Sequence, residues 1–500
     1  MGIELQELLN GFFTALQPEH LIWLMIGGFL GTIVGMLPGL GPATAIAVLI
    51  PITFGMDTTS ALIMLAAIYY GAMYGGSRSS ILLNTPGDGS AIAATFDGYP
   101  MTKQGNAGRA LTMATLASFI GGVIAIIAFI FLAQPLASFA LKFGDPEYFL
   151  LMLFALSAIV SLSVGKMLKG FISMSIGLLL STFGIDSQSG VHRFTFDIVE
   201  LSDGVDYLVV IIGIYAVGEV LFNLLDIGKK SGQKNKVNSI KISREDWKRS
   251  RGPIIRNGPI GFLIGVLPGA GGTMASMLSY TTEKQISKNP DSFGKGAIEG
   301  VAAPESSNNA ASIGSLIPML TMGIPGSGTT AVMLGAIIMI GLKPGPQLFE
   351  NDPGMIATFI NSMLLGNIFL VIMNILLVGL LVKILNTPPK ILYPLILILA
   401  FVGTYALNYT VVDFYILIIF GVIGLFFKIF DFPVAPLILA IIVGSDMEQH
   451  FRKSVVASGG DLGVFLNSTI SIVLIILVIL SILYPFIINM INRKRQQKQG

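Results

Sequence analysis

Long apolar runs, broken by glycine, proline and short charged segments, set the pattern of this chain. Several are long enough to cross the roughly 30 Å hydrocarbon core of a bilayer. The clearest are 110–140, 148–163, 207–225, 354–382, 391–407, 411–427 and 464–490, with 20–37 and 58–74 close behind. Weaker stretches, interrupted by Gly and Pro, lie at 41–55, 78–95, 170–183, 258–280, 307–342 and 434–444. The predicted class is an all-α polytopic membrane protein. Segment 1–19 does not look like a signal peptide, because it lacks a basic start and carries Glu4, Glu7 and Glu19.

Composition sharpens this. Of 500 residues, 53% are hydrophobic and 12% charged, against about 25% charged in an ordinary soluble domain. Cysteine is absent, which excludes a disulfide scaffold, a thiolate metal site and a cysteine nucleophile. The three histidines, His20, His192 and His450, are far apart in sequence, leaving little for histidine catalysis or zinc. A net charge of +2 is too balanced for a nucleic-acid partner; the lipid bilayer is the first partner implied. In so apolar a chain, 58 Gly and 24 Pro point to broken membrane helices.

Lys and Arg indicate orientation. None precedes Arg78, so the N-terminus is expected outside. The tail with Arg493, Lys494, Arg495 and Lys498 is expected in the cytoplasm. Segment 228–256 carries ten basic residues against Glu245 and Asp246, and belongs inside as a polar linker. Loop 97–109, with Lys103 and Arg109, and the Lys166/Lys169 turn read as inside. Loop 184–206 holds Asp186, Asp197, Glu200, Asp203 and Asp206 against His192 and Arg193, and reads as outside.

Two segments are alike: GTIVGMLPGLGPATA at 31–45 and GFLIGVLPGAGGTMA at 261–275. A second pair follows, Pro86-Gly87-Asp88-Gly89-Ser90 and Pro325-Gly326-Ser327-Gly328-Thr329. The offsets are 230 and 239, so one nine-residue insertion reconciles them, expected near 283–296. Equivalent loops carry opposite charge bias, which favours inverted-topology repeats over a parallel duplication. The expected organisation is a first repeat (1–227), the basic linker (228–256), a second repeat (257–446), and a C-terminal helix with its tail (447–500).

Pro38 and Pro268 each follow an apolar run and should end a helix. The glycines behind them allow backbone closed to other residues. Irregular backbone inside a membrane is tolerable only within protein or along a wet cavity. Matched breaks in two halves point to a substrate site between them, with Pro38–Gly41, 84–90, Pro268–Gly272 and 323–330 forming one cavity. Gly31, Gly35, Gly261 and Gly265 instead suit close helix packing. Backbone N–H groups near Gly39, Gly41, Gly87, Gly269, Gly271 and Gly326 are candidates for an anion. So are the hydroxyls of Ser77, Ser79, Ser80, Ser327, Thr329 and Thr330. Arg78 carries a guanidinium fork suited to a carboxylate, unless it sits at an interface or pairs with Asp88. Asn84, Thr85, Glu305, Ser306, Ser307 and Asn308 are candidates for a sodium ion. Glu305 is equally a proton site, or simply a carboxylate at a helix start.

Gly39-Leu40-Gly41 is no dinucleotide fingerprint, because neither a strand nor a suitably placed acid accompanies it. No Walker sequence and no nucleophile or metal cluster at helical spacing occurs, so an enzyme is not expected. The motifs VGMLPGLGPATA (34–45), YGGSRSSILLNTPGDGSAIAATFDGYPM (74–101), IGVLPGAGGTMA (264–275) and APESSNNAASIGSLIPMLTMGIPGSGTTAVMLGA (303–336) resemble the large permease subunit of the tripartite tricarboxylate transporters, the TctA family. The likeness covers nearly the whole chain outside the linker and tail. It implies a secondary importer in the bacterial cell membrane, working with an extracytoplasmic solute-binding protein and a small membrane subunit. It implies carboxylate substrates and no cofactor beyond a coupling ion, sodium before protons. A stand-alone proton-coupled organic-anion transporter or exchanger is the alternative.

Overall fold

The computed structural model describes residues 5–37, 39–161, 166–186, 188–225, 241–385 and 389–496. Pro38, the 228–240 part of the linker and the tail end with Lys498 lie outside the described residues. The first half contains α1 (Leu5–Ala15), α2 (Pro18–Met36), α3 (Pro42–Leu49), α4 (Thr58–Leu83), α5 (Ile92–Lys103), α6 (Ala107–Ala140), α7 (Asp145–Ser161) and α8 (Met167–Leu180). A two-residue antiparallel pair, β1 (Gly184–Ile185) and β2 (His192–Arg193), leads to α9 (Tyr207–Leu225). The second half contains α10 (Arg244–Val266), α11 (Gly271–Ile286), α12 (Glu299–Gly314), α13 (Leu316–Met322), α14 (Gly328–Met339), α15 (Pro346–Asn351), α16 (Pro353–Leu376), α17 (Val378–Leu385), α18 (Pro389–Asn408), α19 (Val412–Ile429), α20 (Ala435–Ala457) and α21 (Thr469–Gln496).

The chain is an all-α, multi-pass membrane protein. Among the described residues, α2, α6, α9, α16 and α19 are long and apolar enough to span a bilayer. Large apolar side chains such as Phe131 and Leu376 are more than 70% exposed, as suits a surface in contact with lipid rather than water.

One boundary differs from the sequence reading. The stretches 58–74 and 78–95 are not separate runs: α4 continues to Leu83. The polar run Ser77–Ser80 is accommodated in this buried helix with its hydroxyls satisfied by the preceding turn, Ser77 on Met73 O and both Ser79 and Ser80 on Gly76 O. The turn comes at Asn84, which takes a left-handed φ of 55°. Gly323, 239 positions later, closes α13 with a φ of 70°.

The two halves match in geometry. α2 ends at Leu37 with φ −75° and ψ 126°, and α10 ends at Leu267 with φ −76° and ψ 124°. Both are extended, as a residue before proline must be. Gly39 and Gly269 follow with φ of 84° and 80°. A Cβ on Gly31 or Gly35 would stand 2.3 Å from a carbonyl oxygen of α4, at Ile68 and Ala72. A Cβ on Gly261 or Gly265 would stand 2.2 and 2.1 Å from those of Ser307 and Ala311. The offset is therefore 230 on one side of each contact and 239 on the other. These glycines are packing surfaces that bring backbones together.

α4 and α12, which the 239-residue offset relates, run in opposite directions. Ser77 near the end of α4 meets Glu305 near the start of α12, while Tyr69, two turns earlier, meets Ser315 beyond the end of α12. Each half also lends a helix to the other. α20 lies on α7 and α8, with Gly177 against Leu437 and Gly444 against Ser181. α9 lies on α19, with Gly213 against Leu417 and Gly424 against Ile214. α21 has no counterpart and lies along α7, through Ser157–Ser481 and the Ser471–Glu147 bond.

Charged contacts gather at two ends. Arg109 pairs with Asp246, Arg249 with Glu299, and Gln104 donates to Lys295 O. At the other end Arg193 and Arg452 hold Asp186 and Glu448, His450 meets Asp145, and Asn408 donates to Asp206.

Candidate functional site

Both breaks open onto one cavity of about 1290 Å³. That exceeds the roughly 300–1,000 Å³ of an ordinary small-molecule pocket. Gly39, Gly41 and Pro86–Ser90 line it from the first half. Gly269–Thr273 and Ser327–Thr329 line it from the second. The approach is tight where the segments meet: a Cβ on Gly41 would touch Asp88 Cβ at 2.7 Å, and one on Gly271 would touch Ser327 Cβ at 3.1 Å. Thus each first break packs on the second break of its own half, in the same way twice.

The wall is polar at distinct places. Ser327 caps α14: its hydroxyl accepts from Thr330 N–H at 3.2 Å, and Thr330 Oγ1 accepts from Ser327 N–H at 2.8 Å. Asp88 holds the equivalent place in the first half and accepts from Ser90 Oγ at 2.6 Å. At the rim, Lys428 Nζ lies 2.6 Å from Glu219 Oε2, and Lys166 lies 3.1 Å from Asp431. Such a wall offers a carboxylate ligand lysines and hydroxyls, and a small cation hard oxygen atoms. Among the described residues no cluster of three or more His, Asp or Glu could hold a metal.

The tripartite tricarboxylate transporter TctA family matches residues 21–439, most of the chain and all of this cavity. The chain belongs to the TctA family. A protein of Agrobacterium vitis described as "Uncharacterized 52.8 kDa protein in TAR-I ttuC' 3'region" is 44% identical over 461 residues, 92% of each chain. Another from the same organism, "Uncharacterized protein in TAR-II ttuC' 3'region", is 44% identical over 211 residues, 42% of this chain and 87% of its own. No solved structure matches.

In this TctA-family chain the expected site residues fall into two groups. Gly39, Gly41, Gly87, Gly269, Gly271, Ser327 and Thr329 line the cavity, and Thr330 is buried behind Ser327. Gly326 packs against Gly265 O and Ser315. Ser79 and Ser80 are buried and spend their hydroxyls on backbone carbonyls. Ser306 and Ser307 do the same, on Ile254 O and Ala275 O. Asn84 is exposed. Buried atoms of Thr85 and Asn308 have no hydrogen-bond partner.

Arg78, Ser77 and Glu305 form a second polar centre, outside the lining of the main cavity. Glu305 accepts from Ser77 at 2.6 Å and Ser118 at 3.0 Å. Arg78 is bound by Asn374, Nε to Oδ1 at 2.7 Å and a terminal N–H to the backbone oxygen at 3.1 Å. Its partner is Asn374, not Asp88, and its free N–H₂ group faces a small void beside Thr115 and Ser118.

The cations at the cavity, Lys428 and Lys166, lie outside the repeated motifs and were not among the expected site residues, Lys166 having served only to indicate orientation. A signal was present. Glu219 is the one charge in α9, and Lys428 follows fourteen uncharged residues after Asp413 in α19; such residues are functional candidates by default.

Proposed function

We propose that the chain is the membrane-spanning permease subunit of a secondary importer that moves carboxylates through this cavity, driven by sodium. The convergence of both breaks on one cavity between two antiparallel, equivalent halves carries the reading, because transporter sites form where broken helices of inverted repeats meet. Lys428, the hydroxyls of Ser327 and Thr329, and the N–H groups at the start of α14 would receive the carboxylates. Sodium would offset the remaining negative charge. The N-terminus would lie outside, and the linker and C-terminus in the cytoplasm. An extracytoplasmic solute-binding protein would deliver substrate, and a small membrane subunit would complete the assembly, as the tripartite family name suggests.

Uptake of labelled di- and tricarboxylates into proteoliposomes, with both partners and an inward sodium gradient, tests this. Sodium-dependent accumulation of at least one carboxylate is expected. Equal uptake in sodium-free medium at fixed pH refutes the coupling. Uptake driven by a pH gradient alone and abolished by Glu305→Gln moves the coupling to protons.

A further inference from the structure

The two halves repeat their backbone at the cavity but not their charge. Ser327 stands where the first half has Asp88, Thr329 where it has Ser90, and Tyr69 where the second half has Asn308. One corner is therefore neutral and rich in donors. The other holds a carboxylate.

That carboxylate lacks a counter-charge. Of the other charged groups within the membrane helices near the cavity, Glu219 is paired with Lys428, Arg78 lies in the field of Glu305, and Glu305, a like charge, lies in the field of Asp88. Among the described residues no Lys or Arg pairs with Asp88; its side chain takes hydrogen bonds from Ser90 and from the backbone N–H of Ala91, all of them uncharged donors. An unbalanced carboxylate in a membrane interior is strongly unfavourable.

Beside it sits an amide with nothing to bind. Asn308 is 1% exposed, and neither its Oδ1 nor its Nδ2 has a hydrogen-bond partner. Buried polar side chains are nearly always satisfied, so an orphan amide asks for a ligand. Its neighbour across the contact is Gly272, in the cavity wall. A Cβ there would lie 2.6 Å from Asn308 Oδ1 and 3.1 Å from Ser90 Cβ. The missing side chain leaves Asn308 and Ser90 facing one spot, next to Asp88.

We propose that Asp88, Ser90 and Asn308 form the binding site of the coupling cation, a monovalent ion of sodium's kind, in the wall of the main cavity. The inference rests on the transport reading above and names a site for it. A carboxylate, a hydroxyl and an amide oxygen are hard ligands suited to such an ion, and one uncompensated negative charge calls for one positive charge. The bound ion faces the neutral Ser327–Thr329 corner across the cavity, so cation and carboxylate share one compartment and reinforce each other's binding. Glu305 and Arg78 do not line the cavity, but Glu305 lies in the field of Asp88, so a cation at Asp88 also eases the repulsion between the two carboxylates.

The purified full chain, without partners or substrate, tests this by thermal unfolding in detergent, with sodium chloride titrated against choline chloride at constant ionic strength and pH. Wild type should be stabilised saturably by sodium. Asp88→Asn and Asn308→Ala should raise the half-saturating sodium concentration about tenfold or more, the loss of one charge-assisted contact. Ser90→Ala and Gly272→Ala, milder changes that keep the fold if the first two do not, should raise it severalfold. Gly252→Ala, away from the cavity and with nothing within 4 Å of its Cβ, should leave it unchanged. The site is overturned if all four wall variants titrate as wild type does, or if wild type ignores sodium and responds to pH instead. Normal sodium binding with sodium-independent uptake sinks the coupling but keeps the site. Sodium-dependent uptake with unaltered sodium affinity in the variants does the reverse.

Discussion

Lys428 Nζ lies 2.6 Å from Glu219 Oε2 and so joins α19 to α9 across the two halves at the rim of the cavity. The other carboxylate oxygen presses on the first break, where a Cβ on Gly39 would approach it to 2.7 Å. Glu219 thus occupies the cation that an incoming carboxylate would seek.

Lys428→Met should abolish carboxylate uptake and leave Glu219 without its charge partner. Because Glu219 is only 4% exposed and would be left an uncompensated buried charge, the cost in stability should be about 3 kcal/mol. The double variant Lys428→Met/Glu219→Met should recover the thermal midpoint but not transport. Uptake restored with the midpoint would show that the pair is only structural.

Close glycine packing makes a second expectation. Gly35→Ala and Gly265→Ala place a methyl group 2.3 and 2.1 Å from a carbonyl oxygen of the facing helix. Overpacking of this kind costs about 1–3 kcal/mol, read as a lower melting temperature in detergent. Gly252→Ala, with nothing within 4 Å of its Cβ, should be neutral.

Orientation can be read by labelling, because the chain has no cysteine. Cysteines at Ser189, beside the Asp186 cluster, and at Asn289, in the turn near the Arg249–Glu299 pair, sit at opposite ends of the helices. An impermeant thiol reagent on intact cells should modify position 189 and spare 289. The opposite pattern inverts the assigned topology.

Asp186 sets a pH expectation. The Gln188 N–H and the Arg452 guanidinium hold its carboxyl well below the usual carboxylate range. A depressed pKa stabilises the fold above the unfolded value, about 3.9, and that contribution disappears only as pH falls through the lower folded value. Asp186→Asn should therefore melt below wild type from pH 7 down to about pH 4, the gap closing only in stronger acid. A gap that closes between pH 7 and 5 contradicts this.

Much of the architecture was legible in the sequence, because a backbone that must bend carries its own marks. Pro268 with Gly269, and the PGDGS and PGSGT segments, named the breaks and the cavity they line. Side-chain roles were harder to read. Ser79, Ser80, Ser306 and Ser307 looked like ligands, yet their hydroxyls serve their own or neighbouring backbones. Whether a helical serine turns inward to a carbonyl or outward to a ligand depends on packing that spacing does not encode. Arg78 was conspicuous as the first basic residue, but its partner lies 296 positions away, at Asn374. Lys428 was overlooked because a lone charge in an apolar run marks a helix end as readily as a cavity.

The exchange of helices between the halves has a consequence for synthesis. During translation α7, α8 and α9 emerge well before α19, α20 and α21, which pack against them. The Gly177 face of α8 waits for α20, and the Gly213 face of α9 waits for α19. A nascent chain stopped at the linker would hold two glycine-notched surfaces with no occupant in the bilayer. The repeat is thus a unit of sequence and not of folding: neither half closes until the other has been made.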